Sequence, residues 1–343
     1  MAKKKTKTIL RITLIVAAIS SLYFVPWLLV KAWITPLPNT VQEQVDEAIS
    51  YGFDGMIVYI KQGDKTPQQY TGGWHNKATK TLPKPNALFK IASISKLYDA
   101  VAVTKLVNAK RLSLNKTLAD YLPELLGKIE YADKITLKLL LQHKSGIPNF
   151  TDVPDFWAAP TQTYEESLAL ILNQKANFAP GEDYEYCNTN YLLLNKIMDN
   201  ELGYGNFKFI KQEILTPLKL NNTYGTLSEV NMDDVMSGYH VGHPYDLKAD
   251  DHGMLATAKD VATFVEALNK GTLFTPQEQK NYVYEYEHAG WVPGYQSFAA
   301  YHKEIDVTIV VFYSTTDPKL YNWNLAEIIN TRIVDILKSK QAS

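Results

Sequence analysis

Strand-like runs stand at the two ends of this 343-residue chain, with helical periodicity between them. That distribution limits the fold more than any other feature. Near the start, Gly55-Met56-Ile57-Val58-Tyr59-Ile60 and the run from Gln68 to Trp74 read as two strands, with Gly63-Asp64 in the turn between them. Near the end, Gln296 to His302 and Asp306 to Ser314 alternate or run apolar across a Lys303-Glu304 turn. After Ser93 the pattern is helical for about two hundred residues, broken by Pro-Gly turns. Helices flank the strands outside as well. Thr40-Val41-Gln42-Glu43 fits a capping box ahead of the stripe Val41, Val45, Ala48 and Ile49, and a last helix over about Asn322 to Lys338 carries Ile328, Ile329, Ile333 and Ile336. The expected fold is α+β: an antiparallel sheet formed by both chain ends with flanking helices, and a mainly helical region, about 97–280, inserted between them. A cleft should lie between sheet and helices. There is no internal repeat and no low-complexity tract.

The first residues follow different rules. Lys3, Lys4, Lys5, Lys7 and Arg11 precede an uncharged run from Ile12 to Val30. Nineteen residues of helix span about 28 Å, close to the hydrocarbon thickness of a bilayer. Trp27 and Trp33 stand where interfacial aromatics belong, and Leu28-Leu29-Val30-Lys31-Ala32-Trp33 offers no small-residue cleavage site. The expectation is a cytoplasmic basic tail over 1–11, an uncleaved transmembrane anchor over 12–34, and an extracellular domain over 35–343 reached through the linker Thr35-Pro36-Leu37-Pro38-Asn39. Six of the 35 Lys and Arg residues lie in residues 1–31, which leaves 29 against 36 acids and a net charge of −7 outside. That balance disfavours nucleic acid as a partner. The single cysteine, Cys187, cannot form an intrachain disulfide, and an exported domain without disulfides suits a bacterial envelope.

Ser93-Ile94-Ser95-Lys96 is the chemically telling stretch. If Ser93 opens a helix, Lys96 sits one turn later on the same face, and a lysine amine beside a serine hydroxyl can take its proton. Ile94, Leu97, Val101, Val103, Leu106 and Val107 make the segment apolar, so a charge there is unusual. A helix-capping serine with a snorkelling lysine is the bland alternative. The chain holds a second tetrad, Ser113-Leu114-Asn115-Lys116, among Lys110, Arg111 and other polar residues, which reads as surface.

Two further motifs follow in order. Tyr186-Cys187-Asn188 comes after a Pro180-Gly181 turn and before an apolar run, and His288-Ala289-Gly290 leads through Trp291-Val292-Pro293-Gly294 into the last hairpin. Each has a decoy, Tyr204-Gly205-Asn206 and His240-Val241-Gly242. With these motifs in order, the chain resembles the serine β-lactamase-like fold of penicillin-binding proteins in its class C branch. That branch also holds D-alanyl-D-alanine carboxypeptidases, carboxylesterases and teichoic-acid D-alanine esterases. The segments Leu139–Ile147, Leu215–Leu220 and Gly253–Asp260 are similar to it too, so the resemblance covers about residues 40–340. It implies that Ser93 attacks an acyl carbon and Lys96 receives its proton. Tyr186 bridges them, relays the proton and later activates water. Asn188 hydrogen-bonds the substrate, His288 stands in the place of the third-motif cation, and Gly290 gives substrate room at the strand edge. The backbone N–H groups of Ser93 and Trp291 form the oxyanion hole, where losing one donor costs about 10²–10³ in rate.

Departures from the family pattern narrow the substrate. The third motif usually offers a hydroxyl after its first residue or just after its glycine, to hold a free carboxylate. Here those positions are Ala289 and Trp291, so only a protonated His288 remains to hold one, and Trp291 should wall the cleft. Cys187 reads as a small buried filler. There is no Gly-x-Ser-x-Gly elbow, no Gly-rich phosphate loop and no His-Glu-x-x-His helix, and His240, His243, His252 and Asp250 make a poor metal site, so neither metal nor cofactor is expected. The resulting expectation is a membrane-anchored extracellular serine hydrolase that forms an acyl-enzyme on Ser93. Its substrate would be D-alanyl groups of the cell envelope, on teichoic acid or peptidoglycan. A D-alanyl-D-alanine carboxypeptidase or a broad esterase or β-lactamase is the alternative within enzymes. A catalytically silent wall-binding or regulatory protein is the alternative outside them, and retention of Ser93, Lys96 and Tyr186 together speaks against it.

Overall fold

The computed structural model describes residues 12–14, 16, 20–161, 163–251 and 253–342. Five antiparallel strands, β1 (Gly55–Gln62), β2 (Gln68–Gly73), β3 (His288–Val292), β4 (Tyr295–His302) and β5 (Val307–Tyr313), form one sheet in the order β2-β1-β5-β4-β3. Both chain ends therefore build it. The join is β1 against β5, with Met56 opposite Tyr313 and Gln62 opposite Val307. Because side chains alternate along a strand, each face of the sheet carries its own core. Ile57, Tyr59, Val310 and Phe312 face the helical region, whereas Met56, Val58, Ile60, Ile309 and Val311 face the other way.

That second face is covered by α1 (Trp27–Ile34), α2 (Val41–Ser50) and the last helix, Tyr321–Ala342. The capping box at Thr40 forms: its Oγ accepts from Glu43 N–H at 3.2 Å and Glu43 Oε2 accepts from Thr40 N–H at 3.1 Å. Buried Arg332 on the last helix ties this layer together. Its guanidinium donates to the carbonyls of Thr35 and Pro36, to Gln44 Oε1 at 2.7 Å, and pairs with Glu47 at 3.0 Å. Thr35-Pro36 is thus docked on the domain rather than a free linker.

Within the span expected over 12–34, residues 23–25 form a turn and α1 begins after Pro26. Proline supplies no N–H to continue a helix, and it is tolerated at a helix start. Downstream of that turn, Leu28 and Leu29 pack on the outer core and Ala32 is fully buried in it. Residues 1–11, 15 and 17–19 lie outside the described residues. Among the described residues, no helix is long and apolar enough to cross a membrane.

The inserted region supplies α3 (Ser95–Asn108), α4 (Asn188–Leu202) and α5 (Ala258–Asn269). It is less helical than its periodicity predicts. Short strands at Phe89–Lys90, Thr223–Tyr224 and Leu255–Ala256 pair into a small second sheet, and much of 110–186 is turn and short helix. The short helices there pack chiefly on α4, while α3 is buried on every side.

Candidate active site

Strand β3 is the edge of the sheet, and it lies against a single 3₁₀ turn, Ala92–Ile94, that leads into α3. Ser93 is the middle residue of that turn. It does not cap the helix, since neither helix start there has a side-chain cap. Ala92 takes φ +47°, a left-handed conformation that costs a non-glycine residue about 1–3 kcal/mol. Gly290 is what lets the strand approach. A Cβ there would stand 2.4 Å from the Ile91 carbonyl oxygen, 2.5 Å from Ser297 Oγ and 2.9 Å from Ala92 Cβ. The packing therefore gives a different reason for this glycine from room for substrate: it seats β3 against the turn that carries Ser93.

Lys96, one turn into the apolar helix, is buried, and its Nζ donates to Ser93 Oγ at 3.0 Å and to Asn188 Oδ1 at 2.9 Å. Asn188 is the first residue of α4, and the Cys187 that precedes it makes no side-chain cap. The amide of Asn188 is oriented by Thr151, whose Oγ accepts from Nδ2 at 2.9 Å, and by Asn149 Oδ1, which accepts from the backbone N–H at 3.0 Å. Lys96 Nζ also lies 5.1 Å from the Tyr186 ring centroid and 5.5 Å from that of Tyr191. The bridge expected from Tyr186 to Ser93 and Lys96 is not made: the amine bonds Ser93 and Asn188. The Tyr186 hydroxyl is buried with no hydrogen-bond partner among the described residues.

These groups line a cavity of about 980 Å³ between sheet edge and helices. Trp291 walls it as expected, its ring edge-on to Trp157 at 5.4 Å. Ser93 and Trp291 both line this cavity, one from the turn and the other from the strand. Lys96 is the only Lys or Arg among the described lining residues, against Asp99, Asp152, Glu185, Asp251 and Glu285. Asp99 is the deep one. Burial raises its carboxyl from 3.8 to about 7 in spite of the charge of Lys96 and a hydrogen bond with Asn195. Burial also raises Asp152, which accepts from Asn149 Nδ2 at 2.8 Å.

The positive charge expected of His288 is not available. Burial, and then the charge of Lys96, lowers its imidazole to about 4. Both ring nitrogens are engaged as well: Nδ1 lies 2.6 Å from the Ala289 carbonyl oxygen and Nε2 lies 2.7 Å from Tyr284 Oη. With alanine at 289 and tryptophan at 291, the third motif holds nothing that binds a carboxylate.

The decoys fall elsewhere. Lys116 is exposed beside Tyr121, and Ser113 Oγ accepts from Asn115 N–H at 3.4 Å outside the cavity. Tyr204 is at the surface. The rings of His240 and His243 stand 5.1 Å apart, with His240 Nδ1 bonded to Thr316 Oγ at 2.7 Å. His252 lies outside the described residues, and among those described no group of three side chains could hold a metal ion. Cys187 is buried, its thiol donating to the Ile147 carbonyl at 3.2 Å and raised by burial.

Sequence reasoning missed Asn149, Thr151, Tyr284 and His143. His143 was visible only as part of the quoted Leu139–Ile147 segment. Asp99 was within reach, since an acid in an apolar run is as unusual as a lysine there.

The Beta-lactamase family matches residues 37–285. Protein flp of Staphylococcus aureus (strain N315) is 28% identical over 197 residues, which are 55% of this chain and 39% of that protein. The chain thus spans about two-fifths of the length of that curated relative. Among solved structures, the D-amino acid amidase from Ochrobactrum anthropi SV3 is similar with a TM-score of 0.76 at 20% identity, over 88% of this chain and 98% of that one. The penicillin-binding protein from Bacillus halodurans gives a TM-score of 0.72 at 18% identity, over 85% and 99%. These structural likenesses concern the fold.

Proposed function

Because the chain belongs to the beta-lactamase family of serine hydrolases, we propose that it forms an acyl-enzyme on Ser93 and that its acyl donor is a D-alanyl group of the bacterial envelope, above all a D-alanyl ester on teichoic acid. One observation carries the reading: a buried lysine amine 3.0 Å from the hydroxyl of Ser93, in a cavity where that lysine is the one Lys or Arg among the described lining residues. Ser93 Oγ attacks the ester carbon as its proton passes to the amine of Lys96, which accepts it in its uncharged form. The N–H groups of Ser93 and Trp291 take the charge on the carbonyl oxygen. The alkoxide leaves with a proton, for which the unpartnered hydroxyl of Tyr186 is the donor, and the same phenol then serves the attacking water. Asn188 holds Lys96 in place and presents its amide to the substrate.

The charge of the cavity supports the ester over a peptidoglycan terminus or a β-lactam. A D-alanyl ester carries a free ammonium and no carboxylate, which suits a lining of acids with one lysine. The same logic admits a D-amino-acid amide, the substrate class in the name of the amidase neighbour. We place the domain outside the cell on a membrane anchor, on the strength of the five cations before residue 12 and the uncharged run that follows them.

The test uses D-alanylated teichoic acid, with a fluorescent penicillin alongside. Free D-alanine released by the protein and lost in Ser93→Ala is the expected result, with Ser113→Ala unchanged. A stable penicillin adduct on Ser93 without D-alanine release would turn the assignment to a peptidase.

A further inference from the structure

A hydrogen-bonded chain runs behind the cavity and joins two of its motifs. Cys187 N–H donates to His143 Nδ1 at 3.1 Å, and Asn190 Nδ2 lies 3.4 Å from the same nitrogen. Asn190 is fixed in that orientation because Ser145 Oγ donates to its Oδ1 at 2.6 Å. His143 Nδ1 is therefore an acceptor, and the proton of the neutral ring is on Nε2, which reaches Tyr284 Oη at 3.4 Å. At the other end, His288 Nδ1 faces a carbonyl oxygen, which only accepts. Its proton is on Nδ1, so Nε2 accepts from Tyr284 Oη at 2.7 Å. The backbone groups at the two ends thus set the direction of every bond between them: His143 Nε2–H to Tyr284 Oη, and Tyr284 O–H to His288 Nε2.

From this geometry we infer that Tyr284 is a positioning residue, which locks His288 as the neutral Nδ1–H tautomer and sets the spacing between the Tyr186-Cys187-Asn188 segment and strand β3. Tyr284 touches neither Ser93 nor Lys96 and acts through His288 and His143. Its two bonds span from the residue after Tyr186 to the first residue of β3. The Tyr186 ring lies between the two imidazoles, 4.5 Å from His143 and 6.0 Å from His288. A hydrogen bond donated to Nε2 favours the unprotonated ring, so Tyr284 adds to the burial and the charge of Lys96 that already lower it. The titratable groups around His288 are Lys96 across the cavity, Tyr186 and His143 behind it, and Tyr284 and Glu285 on its own segment, with Tyr191 alongside Tyr284 at 5.4 Å between rings. Burial and the charge of Lys96 lower His143 to about 3, so both imidazoles are neutral at the pH at which the chain operates.

The inference rests on the Ser93–Lys96 cavity being the reacting site, and the experiment separates the two. In the full-length protein with ¹⁵N-labelled histidine, NMR at pH 7 should show His288 as the Nδ1–H tautomer and His143 as the Nε2–H tautomer, with assignment from His288→Gln and His143→Gln. This measurement uses no turnover. Tyr284→Phe keeps the ring and removes both bonds. It should raise the titration midpoint of His288 by about one pH unit or more and add an ionisation between about pH 5 and 7 to kcat, with kcat down about 10-fold. KM for p-nitrophenyl acetate should change little. The inference is overturned if His288 of the wild type carries its proton on Nε2, or if Tyr284→Phe leaves tautomers and pH profile as they were. Should Tyr284→Phe not fold, the wild-type tautomers alone decide. A protein with the expected tautomers and no Ser93-dependent turnover would sink the catalytic reading instead.

Discussion

Asp99→Asn is the most exacting test of how charge is arranged in this molecule. Asp99 lies one turn beyond Lys96 in a helix buried on all sides, and burial lifts its carboxyl from 3.8 to about 7. In the unfolded chain the group loses its proton near 3.8. In the folded protein it keeps the proton to about 7. The folded state therefore binds more protons between those values, and stability falls as pH rises from about 3.8 to 7 and is level above. At 1.36 kcal/mol per pH unit, the whole interval is worth about 4 kcal/mol, and the part between pH 5 and pH 7 about 3 kcal/mol. Asparagine has the shape of the neutral acid and does not titrate. The assay is equilibrium urea unfolding of wild type and Asp99→Asn at pH 5, 6, 7 and 8. The stability difference should stand at about 1.5 kcal/mol in favour of the variant at pH 5 and widen by about a further 3 kcal/mol by pH 8. Parallel stability curves across that range would refute the reasoning, because they would mean that Asp99 is ionised in the folded protein at every pH tested.

Other outcomes follow from the same structure. Gly290→Ala forces a Cβ against the Ile91 carbonyl, so β3 must move off the turn of Ser93; kcat/KM should drop about 10²-fold at a stability cost of about 1–3 kcal/mol, measured by ester hydrolysis and urea unfolding. A variant with normal turnover would show that the strand need not sit so close. The acidic lining predicts that a D-alanyl ester outruns its N-acetylated twin by about 10-fold in kcat/KM at low salt, with the ratio shrinking as ionic strength rises. Equal rates, or a ratio indifferent to salt, would remove charge from the account of specificity.

Much of the architecture could be read from local pattern. Strands alternate with period two, so the runs around Ile57 and Val310 announced a sheet, and Thr40 with Glu43 announced the helix that covers it. The expected span over 12–34 rested on five leading cations, an uncharged run and flanking tryptophans, signals that do not say which of its residues a neighbouring domain also holds. Leu28, Leu29 and Ala32 pack on the outer core, and Arg332, some three hundred residues along, holds Thr35 and Pro36 there. The 110–186 region was read as helical because apolar spacing in tight turns resembles that of helices when their packing partners are unknown. At the site, Ser93, Lys96, Tyr186, Asn188 and His288 line one cavity, of which spacing alone pointed to the first two. What stayed hidden were partners that only the fold brings near: Thr151 and Asn149 on Asn188, and Tyr284 on His288.

The case of His288 shows why residue type alone misassigned a role. A histidine in the place of a third-motif cation invites a charge, and a charge invites a carboxylate. In this protein the imidazole is enclosed, faces a carbonyl oxygen on one side and a phenol on the other, and feels Lys96 across the cavity. Burial first, and then the charge of Lys96, favour the uncharged ring and outweigh the carbonyl of Ala289, which favours the charged one. Lys96 is then the only basic side chain at the floor, and it is committed to Ser93 and Asn188. An anionic acyl donor would meet four carboxylates at the lining, beside Asp99, which burial keeps protonated to about pH 7, with Lys96 the one Lys or Arg among the described lining residues, whereas a donor with an ammonium meets a complementary field. Substrate choice in this cavity is thus set less by a dedicated binding residue than by the removal of one, together with the sign of what surrounds it.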